Sequence, residues 1–587
     1  MIDTFETDDA ALGRLLAVAR GDEPADLLLT NCRLVDVFSG EVYPAEVALC
    51  GGRIAGVSAT PGVYAGEVVR DLGGQFVAPG FIDAHVHIES SLLTPAEFAT
   101  AVVPCGTTAV VCDPHEIANV YGLEGIRYML DASEGLALRV FVMLSPCVPA
   151  TDMETAGATL TAADLASLLD RARVLGIAEM MNYPGVVAGA NDMLAKLKLG
   201  HGGRLRVDGH APLLSGQALQ AYVATGISSD HESVSAAEAM EKLRAGMHVH
   251  IREGSTAKNL DALLPIVTTH TARFCSFATD DKQPEDLRRE GHLDHVIRRA
   301  IAAGLDPVVA IQMATINTAR HYGLHDMGAV APGYRADLVV FPQLDEPRIS
   351  QTICAGEIVA EQGRMLAPQV NLTAAPQRSL QVAGLSARSF VLPVEGTHVR
   401  AIEVIPEQIV TREQVVEIVA RDGHVQADPS RDLLKIAVVE RHQGTGNVGV
   451  GLLRGFGLRS GAIASSIAHD SHNIVVIGAT DADMLLAAQT VAEMGGGLCA
   501  VDDGRVLATL SLPIAGLMSD QPLEVVRTAM AHLLEAAHGL GCLLANPYMA
   551  MAFLALPVIP DLKITDKGLV DVRAFALCSP YVESPES

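Results

Sequence analysis

Tryptophan is absent from this sequence of 587 residues, and all aromatic residues together make up only 4% of it. Hydrophobic residues nevertheless account for 49%, so the cores must be built mainly from alanine, valine, leucine and isoleucine. A chain of this length is too long for one compact core, which predicts two or three domains.

Positive charge is also scarce. The 42 Lys and Arg residues are outnumbered by 69 Asp and Glu residues, which gives a formal net charge of -27. A surface of this sign repels phosphate backbones, so nucleic acid is a poor partner and a free small molecule is a better one.

Cysteine pairs and membrane-spanning runs are missing as well. The ten cysteines form no C-x-x-C pair, which predicts buried thiols in a reducing compartment. The segment MIDTFETDDAALGRLL lacks a basic region followed by an apolar one, so no secretory signal is expected. The apolar stretch LLANPYMAMAFLALPVIP is interrupted by Asn546, Pro547 and Pro557 and makes a poor membrane span. We therefore expect a soluble cytoplasmic protein with no membrane partner.

Hydrophobic patterning divides the chain into segments. Residues 1–78 combine a helix near residues 8–20 with short strand-like runs punctuated by Asn, Gly and Pro. From Phe81 onward, short apolar runs alternate with stretches of helical periodicity, and each run ends in polar residues. Repeated strand–helix units predict a parallel sheet, and about eight of them predict a TIM-like (β/α)8 barrel over residues 79–327.

Strand-like sequence returns at residues 328–366. Together with residues 1–78, this return predicts a small β-sandwich domain built from both flanks of the barrel. Residues 367–390 have the composition of a linker, and residues 391–587 mix strand and helix patterns. The predicted fold class is therefore α/β: a barrel, a flanking β-sandwich and a C-terminal α+β domain.

The segment FIDAHVHIESS is the first to interrupt the apolar pattern. Residues two apart in a strand point to the same face, so His85, His87 and Glu89 are predicted to project together. In a barrel, chemistry lies at the carboxyl ends of the strands. The polar residues that follow the later apolar runs include Glu179, His210, His231 and Asp280.

These strand ends form a coherent set of metal ligands. Four imidazoles and two carboxylates offer only nitrogen and oxygen donors, which suit Zn, Fe or Mn: His85, His87, Glu179, His210, His231 and Asp280. Glu179 lies on a middle strand, where its carboxylate could bridge two metals. A single histidine is more often an ordinary hydrogen-bonded residue, and His248, His250 and His270 are interpreted in that way.

Two further motifs are rejected. His87-Ile88-Glu89 fits the H-x-E half of the cytidine deaminase signature, but no P-C-x-x-C follows it. The segment GTGNVG, residues 444–449, fits G-x-G-x-x-G, but polar residues separate it from the preceding strand and further glycines occupy the place of a helix. His442, His469 and His472 lie among glycines and favour a loop network that packs on the barrel or on a partner subunit, with a second metal site as the alternative.

The segment VAPGFIDAHVHIESS, with β-rich flanks and the later His, His and Asp, resembles the amidohydrolase superfamily of metal-dependent hydrolases. That superfamily carries HxH on the first barrel strand, a bridging Lys or Glu on the fourth, His on the fifth and sixth, and Asp on the eighth. Further segments resemble the bacterial adenine deaminase family over nearly the whole chain: CDPHEIANV, REGS, ATDDK, ERHQGTGNVGVGLLRGFGLRSGAIASSIAHDSHNIVVIGA and LALPVIPDLKITDKGLVDV. Glu179 stands where dihydroorotase-like relatives carry a carboxylated Lys.

The resemblance implies hydrolytic deamination of adenine to hypoxanthine and ammonia in purine salvage. It implies a binuclear divalent metal centre, with Mn or Fe favoured and Zn also compatible, and a homo-oligomer, with a dimer favoured. Metal-activated hydroxide would attack C6 of the purine, and Asp280 would carry the proton to the leaving nitrogen. Glu89 is the other predicted catalytic residue.

Contacts to the purine ring are predicted from the polar groups left at the strand ends. These groups are Glu89, Glu116, Arg252 and Glu253, although Glu116 or Glu253 could instead cap a helix or support a ligand histidine. The alternative activities are another amidohydrolase reaction on a different aminopurine or on a cyclic amide. A non-catalytic scaffold is the third hypothesis, and the intact ligand set argues against it.

Overall fold

A computed structural model describes residues 9–200, 205–376, 380–406 and 408–582 of the chain. The outermost predicted boundaries, residues 1 and 587, and residues 377–379 of the predicted linker lie outside the described residues. In the part that is described, no helix has both the length and the apolar character needed to cross a membrane.

The N-terminal segment contains one helix and five strands. They are α1 (Asp9–Arg20), β1 (Ala25–Val35), β2 (Val42–Cys50), β3 (Arg53–Ser58), β4 (Gly66–Asp71) and β5 (Phe76–Pro79). The helix predicted near residues 8–20 is present.

A central unit follows, in which strands and helices alternate. Its strands are β6 (Phe81–Val86), β7 (Thr107–Cys112), β8 (Arg139–Leu144), β9 (Val174–Met180), β10 (Arg206–Gly209), β11 (Ser229–Asp230), β12 (His248–Arg252) and β13 (Cys275–Ala278). Its helices are α2 (Pro95–Val102), α3 (His115–Tyr121), α4 (Leu123–Ala132), α5 (Ala162–Ala166), α6 (Tyr183–Val187), α7 (Asn191–Gly200), α8 (Gly216–Ala224), α9 (Ala236–Arg244), α10 (Leu260–Leu263), α11 (Pro284–Arg289), α12 (Leu293–Ala302), α13 (Pro307–Met313) and α14 (Ile316–Tyr322).

The strands of the central unit pair in parallel. One sheet has the order β10-β9-β8-β7-β6 and a second has the order β11-β12-β13. Every residue of β6, β7, β9, β12 and β13 is buried, as expected for parallel strands covered on both faces. Backbone hydrogen bonds also join the two sheets: Ser228 donates to Val207 near the β10–β11 edges, and Asp280 donates to His85 near the β13–β6 edges.

Strands after the central unit return to the N-terminal sheet. They are β14 (Leu338–Phe341), β15 (Gln351–Cys354), β16 (Glu357–Glu361) and β17 (Arg364–Met365). Strand β14 pairs antiparallel with β5, so both flanks contribute to one nine-stranded sheet with the order β17-β16-β15-β14-β5-β1-β2-β3 and with β4 beside β1. The two flanks join, as expected. Their strands are hydrogen-bonded into one continuous sheet, which the strand pattern of the sequence does not predict.

The C-terminal unit, Leu392–Val582, mixes sheet and helix. Its strands are β18 (Leu392–Pro393), β19 (His398–Val404), β20 (Thr411–Glu417), β21 (Val419–Arg421), β22 (His424–Gln426), β23 (Leu434–Val439), β24 (Val448–Arg454), β25 (Ala462–Ser465), β26 (Ile474–Gly478), β27 (Gly497–Asp502), β28 (Arg505–Ser511), β29 (Leu562–Thr565), β30 (Gly568–Asp571), β31 (Ala576–Cys578) and β32 (Tyr581–Val582). Its helices are α15 (Asp481–Glu493), α16 (Leu523–Gly539) and α17 (Pro547–Phe553).

The C-terminal unit packs directly on the central unit. The backbone amide of Ser519 donates to the carbonyl of Leu92 at 2.8 Å, and the amide of Ala515 donates to the hydroxyl of Tyr121 at 3.2 Å. Buried apolar residues of both units form one continuous core. This packing brings loops of the C-terminal unit over the carboxyl ends of the central strands.

Candidate active site

The first two predicted ligands stand at the end of β6. His85 lies in the strand and His87 directly follows it, so both imidazoles turn to the same side. Their Nε2 atoms are 3.1 Å apart, and Oδ1 of Asp280 lies 3.5 Å from Nε2 of His85 and 3.1 Å from Nε2 of His87. Donor atoms at this spacing can share one ion with bonds of about 2.0–2.2 Å.

Asp280 is held at this place by backbone pairing between the first and last central strands. Its amide donates to the carbonyl of His85 at 3.0 Å, and its carbonyl accepts from the amide of His87 at 3.2 Å. Its φ of 55° lies in the left-handed region, which residues other than glycine rarely adopt and which often marks functional sites.

The second pair of histidines follows β10 and β11. Nδ1 of His210 lies 2.5 Å from Oε2 of Glu179, and Nε2 of His231 lies 3.3 Å from the same oxygen. The other oxygen, Oε1, lies 3.3 Å from Nε2 of His87 and 3.8 Å from Nε2 of His85. The carboxylate of Glu179 therefore faces both pairs, one with each oxygen.

These residues fit a metal centre. The six side chains are all at least 93% buried, and their donor atoms include three groups whose spacing could hold an ion. Nδ1 of His87 lies 2.9 Å from the backbone carbonyl of Asp113, so Nδ1 carries the proton and the lone pair of Nε2 points into the site. Metal-binding histidines are oriented in this way in proteins.

Arg252 sets the charge around Asp280. One guanidinium nitrogen donates to Oδ2 of Asp280 at 2.7 Å, and the same guanidinium pairs with Glu232. Burial alone would raise the pKa of Asp280, but the positive charge of Arg252 outweighs it and, with the imidazoles, holds that pKa well below its usual range. Asp280 is thus kept ionised, and its Oδ1 faces His85 and His87.

Glu89 is buried behind the ligand set. Its Oε1 accepts from the amide of Ile117 at 3.2 Å, whereas its Oε2 has no hydrogen-bond partner within the described ranges. Burial raises the pKa of Glu89 to about 7. Glu89 is not among the residues that line the cavity over the ligands, so its predicted contact with substrate remains a prediction.

The other two predicted glutamates have different surroundings. Glu116 lines the cavity, but its Oε1 lies 2.8 Å from Nδ1 of His469 and its Oε2 contacts His472. Glu253 does not line the cavity: its carboxylate accepts from the amide of Leu260 at 3.3 Å and pairs with Arg299. The predicted ring contact of Glu253 therefore has no support in this geometry.

Three cavity residues were missed by the sequence reasoning. Nδ1 of His115 lies 3.3 Å from Oε1 of Glu179, while Glu232 and Asp281 line the same cavity. A usable signal exists for each: His115 follows the end of β7, and the other two directly follow the predicted ligands His231 and Asp280. Strand-end position applies to these residues as it does to the six ligands.

The C-terminal unit supplies the opposite wall of the cavity. Ile409, Phe553, Leu556 and Ile559 contribute apolar side chains, and the ring of Phe553 stacks on His469 with centroids 4.4 Å apart. Nothing in their local sequence marks these residues, because they reach the cavity through tertiary packing alone.

The three histidines interpreted as ordinary residues contact other side chains or solvent. Nε2 of His248 lies 2.8 Å from the hydroxyl of Ser276, and Nε2 of His250 lies 3.3 Å from the hydroxyl of Tyr322. His270 is exposed. The GTGNVG segment runs into β24 and not into a helix, in keeping with its rejection as a dinucleotide site.

The C-terminal histidine loop packs on the ends of the central strands. His469 and His472 contact Glu116, and Nε2 of His442 lies 2.6 Å from the carbonyl of Ser471 within the same loop network. The loop therefore packs on the central unit, and this packing is compatible with both interpretations of the sequence, a loop network and a second metal site.

Similarity to known proteins covers both large units. Residues 76–359 match the family described as "Amidohydrolase family", and residues 408–576 match the family described as "Adenine deaminase C-terminal domain". A protein named "Adenine deaminase" from Desulfatibacillum aliphaticivorans is 48% identical over 568 residues, covering 97% of this chain and 99% of that protein. Another of that name, from Methanothrix thermoacetophila, is 49% identical over 570 residues, covering 97% and 99%.

Among solved structures, one described as "Crystal structure of an adenine deaminase" aligns with a TM-score of 0.40 at 20% identity. It covers 57% of this chain and 99% of that chain. A likeness of this size adds no weight to the sequence relationships.

Proposed function

Because this chain belongs to the adenine deaminase family of the amidohydrolases, we propose that its buried His/Asp/Glu site hydrolyses adenine to hypoxanthine and ammonia. One observation of the site carries the proposal: the carboxylate of Glu179 lies between two histidine pairs, with Asp280 beside the first pair. This arrangement fits a binuclear centre of divalent ions. Mn or Fe is favoured by the family resemblance.

The six ligands divide between two positions. His85, His87 and Asp280 would hold one ion, His210 and His231 the other, and Glu179 would contact both. Bound there, divalent ions would lower the pKa of water and stabilise negative charge in the transition state. The nitrogen and oxygen donors are compatible with Mn, Fe or Zn.

Proton transfer falls to Asp280. Water adds its oxygen to C6 of adenine, and Asp280 accepts a proton from that water. The C6–N6 bond then breaks, and Asp280 delivers the proton to the departing nitrogen, which leaves as ammonia. General acid–base catalysis of this kind contributes about 10²–10⁴-fold, and Arg252 on Oδ2 supports the role by keeping the carboxylate in place.

Purine binding is the task of the cavity walls. The apolar side chains of Phe553, Leu556 and Ile559 oppose the ligand set and would exclude water from a flat aromatic base. Arg252 and Glu116 are the predicted ring-contacting residues that line the cavity. Glu89, with its raised pKa, would act as a neutral hydrogen-bond donor from behind His87.

We propose for the architecture that β6–β13 close a (β/α)8 barrel over residues 79–327. The hydrogen bonds at both seams between the two parallel sheets support this closure. Residues 1–78 and 328–366 would then form the flanking β domain, residues 367–390 the linker, and residues 391–587 the C-terminal domain.

The test is release of hypoxanthine and ammonia from adenine by chelated protein and by protein reloaded with Mn, Fe or Zn. Turnover should be lost on chelation and restored by at least one metal. The His85→Ala variant should stay folded and lose at least about 10²-fold in kcat, because one ligand of the first ion is gone. His270→Ala, an exposed histidine of the same unit, should behave like the unchanged protein.

Two results would contradict the proposal. Full activity of His85→Ala would remove the assigned site. Folded protein that binds metal but releases no hypoxanthine with any of the three metals would remove adenine, and aminopurines and cyclic amides would be tested next.

A further inference from the structure

A second group of buried imidazoles and carboxylates lies where the C-terminal unit meets the central unit. We call it the interface cluster, and its members are His115, Glu116, His469, Asp470 and His472. The first two begin α3 at the end of β7, and the other three belong to the loop between β25 and β26. Each of the five residues is no more than 4% exposed.

Donor atoms of the interface cluster lie close to one another. Oε1 of Glu116 lies 2.8 Å from Nδ1 of His469 and 3.4 Å from Nε2 of His115. Oδ1 of Asp470 lies 3.5 Å from Nε2 of His115 and 3.7 Å from Nδ1 of His469. Nδ1 of His472 accepts from the amide of Ala468 at 3.3 Å, so Nε2 of His472 carries the proton and faces the second oxygen of Glu116. Spacings of this size match those between the ligands of the site at Glu179.

Two carboxylate oxygens of the cluster lack a hydrogen bond. Within the part of the chain that is described, Oε1 of Glu116 and Oδ2 of Asp470 have no hydrogen-bond partner. Buried polar atoms without a partner are costly and are retained where something binds them. Two buried carboxylates also require compensating positive charge.

We propose that the interface cluster binds a third divalent transition-metal ion, separate from the two at Glu179. Two imidazole nitrogens, from His115 and His469, and two carboxylates, from Glu116 and Asp470, suit Zn, Mn, Fe or Co, while His472 holds Glu116 in place. The two sites adjoin through His115, whose Nδ1 lies 3.3 Å from Oε1 of Glu179 while its Nε2 faces Glu116 and Asp470.

This third ion would connect the two units of the chain. His115 and Glu116 come from the central unit, whereas His469, Asp470 and His472 come from the C-terminal unit, more than three hundred residues later in the chain. Because the ligands are shared, binding of the ion and docking of the C-terminal unit would reinforce each other. The inference does not depend on adenine being the substrate.

The test counts bound ions. Full-length protein is stripped with chelator, reloaded with Co²⁺ alone, freed of unbound metal, and analysed for Co per chain. We expect three Co²⁺ per chain in the unchanged protein and two in His469→Ala. His532→Ala, an exposed histidine of the C-terminal unit, should keep three.

A second control addresses another group with suitable spacing, formed by Asp208, His250 and His321. His321→Ala should keep three Co²⁺. If His321→Ala loses the third ion and His469→Ala keeps it, the assignment to the interface cluster is overturned.

Equal Co content in the unchanged protein and in folded His469→Ala would also overturn the proposal, because protonated imidazoles would then neutralise Glu116 and Asp470 without an ion. If circular dichroism shows that His469→Ala does not fold, Glu116→Gln decides by the same count. Adenine turnover is measured separately, so loss of the proposed function and loss of the third ion are distinguishable.

Discussion

At the scale of single residues, Lys563 is an unusual buried amine that contacts two residues of the cavity wall. Its side chain is fully buried, and its amino group donates to the carbonyl of Ile409 at 2.8 Å and to that of Phe553 at 2.9 Å. Burial lowers the pKa of Lys563 to about 7, despite the nearby charge of Asp561. A buried amine therefore positions two residues that line the cavity.

This shift predicts a pH dependence of stability. Between about pH 7 and the ordinary lysine pKa of about 10.4, the unfolded chain binds a proton at Lys563 that the folded chain does not. The free energy of unfolding should therefore rise with pH across this window, by up to about 1.4 kcal/mol per pH unit from this group. Below the window the group is protonated in both states and its contribution is constant.

The Lys563→Met variant isolates that contribution, because every other titrating group is shared with the unchanged protein. Urea unfolding at several pH values between 7 and 10 should give a shallower rise for the variant. Parallel curves for the two proteins would show that Lys563 titrates normally in the folded state.

The residue scale also shows what the sequence could and could not predict at the site. All six predicted ligands come together, since the end of a parallel strand fixes where its next residues project. Glu253 also follows the end of a strand, but its carboxylate pairs with Arg299. Position at a strand end predicts where a side chain begins and not which neighbouring group it pairs with. His115 follows a strand end as well, but the sequence pattern was used to predict only its neighbour Glu116.

At the scale of elements, the eight apolar runs predicted as central strands each contain a strand, because runs buried on both faces carry a strong local signal. The short helix α17 is different. It lies in the apolar stretch near the C-terminus, and its position depends on contacts with residues far away in the chain, such as His469 and Ile409. No local pattern could place α17 over the cavity.

Helix α17 yields a prediction for substrate binding. Phe553 ends this helix, lines the cavity and stacks on His469. Phe553→Ala should raise the KM for adenine about tenfold, the equivalent of about 1.4 kcal/mol, with a smaller change in kcat, because in the proposed complex the apolar wall contacts the base and not the reacting atoms. Steady-state kinetics checks the split.

The matched control for this helix is Phe575→Ala, since Phe575 is 40% exposed and does not line the cavity. Its KM should be unchanged. A Phe553→Ala variant with unaltered KM and reduced kcat would place the base elsewhere and assign the ring an indirect role.

At the scale of the whole molecule, the central unit and the C-terminal unit pack against each other through one shared core. Sequence composition places a linker at residues 367–390, and that boundary remains a prediction. One core of buried apolar residues extends from the central unit into the C-terminal unit. Composition could not predict it, because an apolar residue in an interface between units has the same sequence pattern as one inside a single domain. We therefore expect both units to unfold in one transition.

Substitution of Asp566 tests whether the two units unfold together. Asp566 is 3% exposed, and its carboxylate accepts from the amide of Thr155 at 2.8 Å and from the Thr155 hydroxyl at 2.7 Å. Asp566→Ala leaves these central-unit donors buried without their acceptor, which costs about 1–3 kcal/mol. Urea unfolding should show a lower midpoint with the transition still single.

Asp571→Ala is the control for Asp566, because its carboxylate accepts an exposed bond from the amide of Ala574 inside the C-terminal unit. Its midpoint should move much less. If Asp566→Ala instead splits the transition in two, with only the C-terminal unit melting early, the shared core is not what binds the units together. Stability across the interface would then depend on a few polar contacts such as this one, and the cavity wall would open before the ligand set is lost.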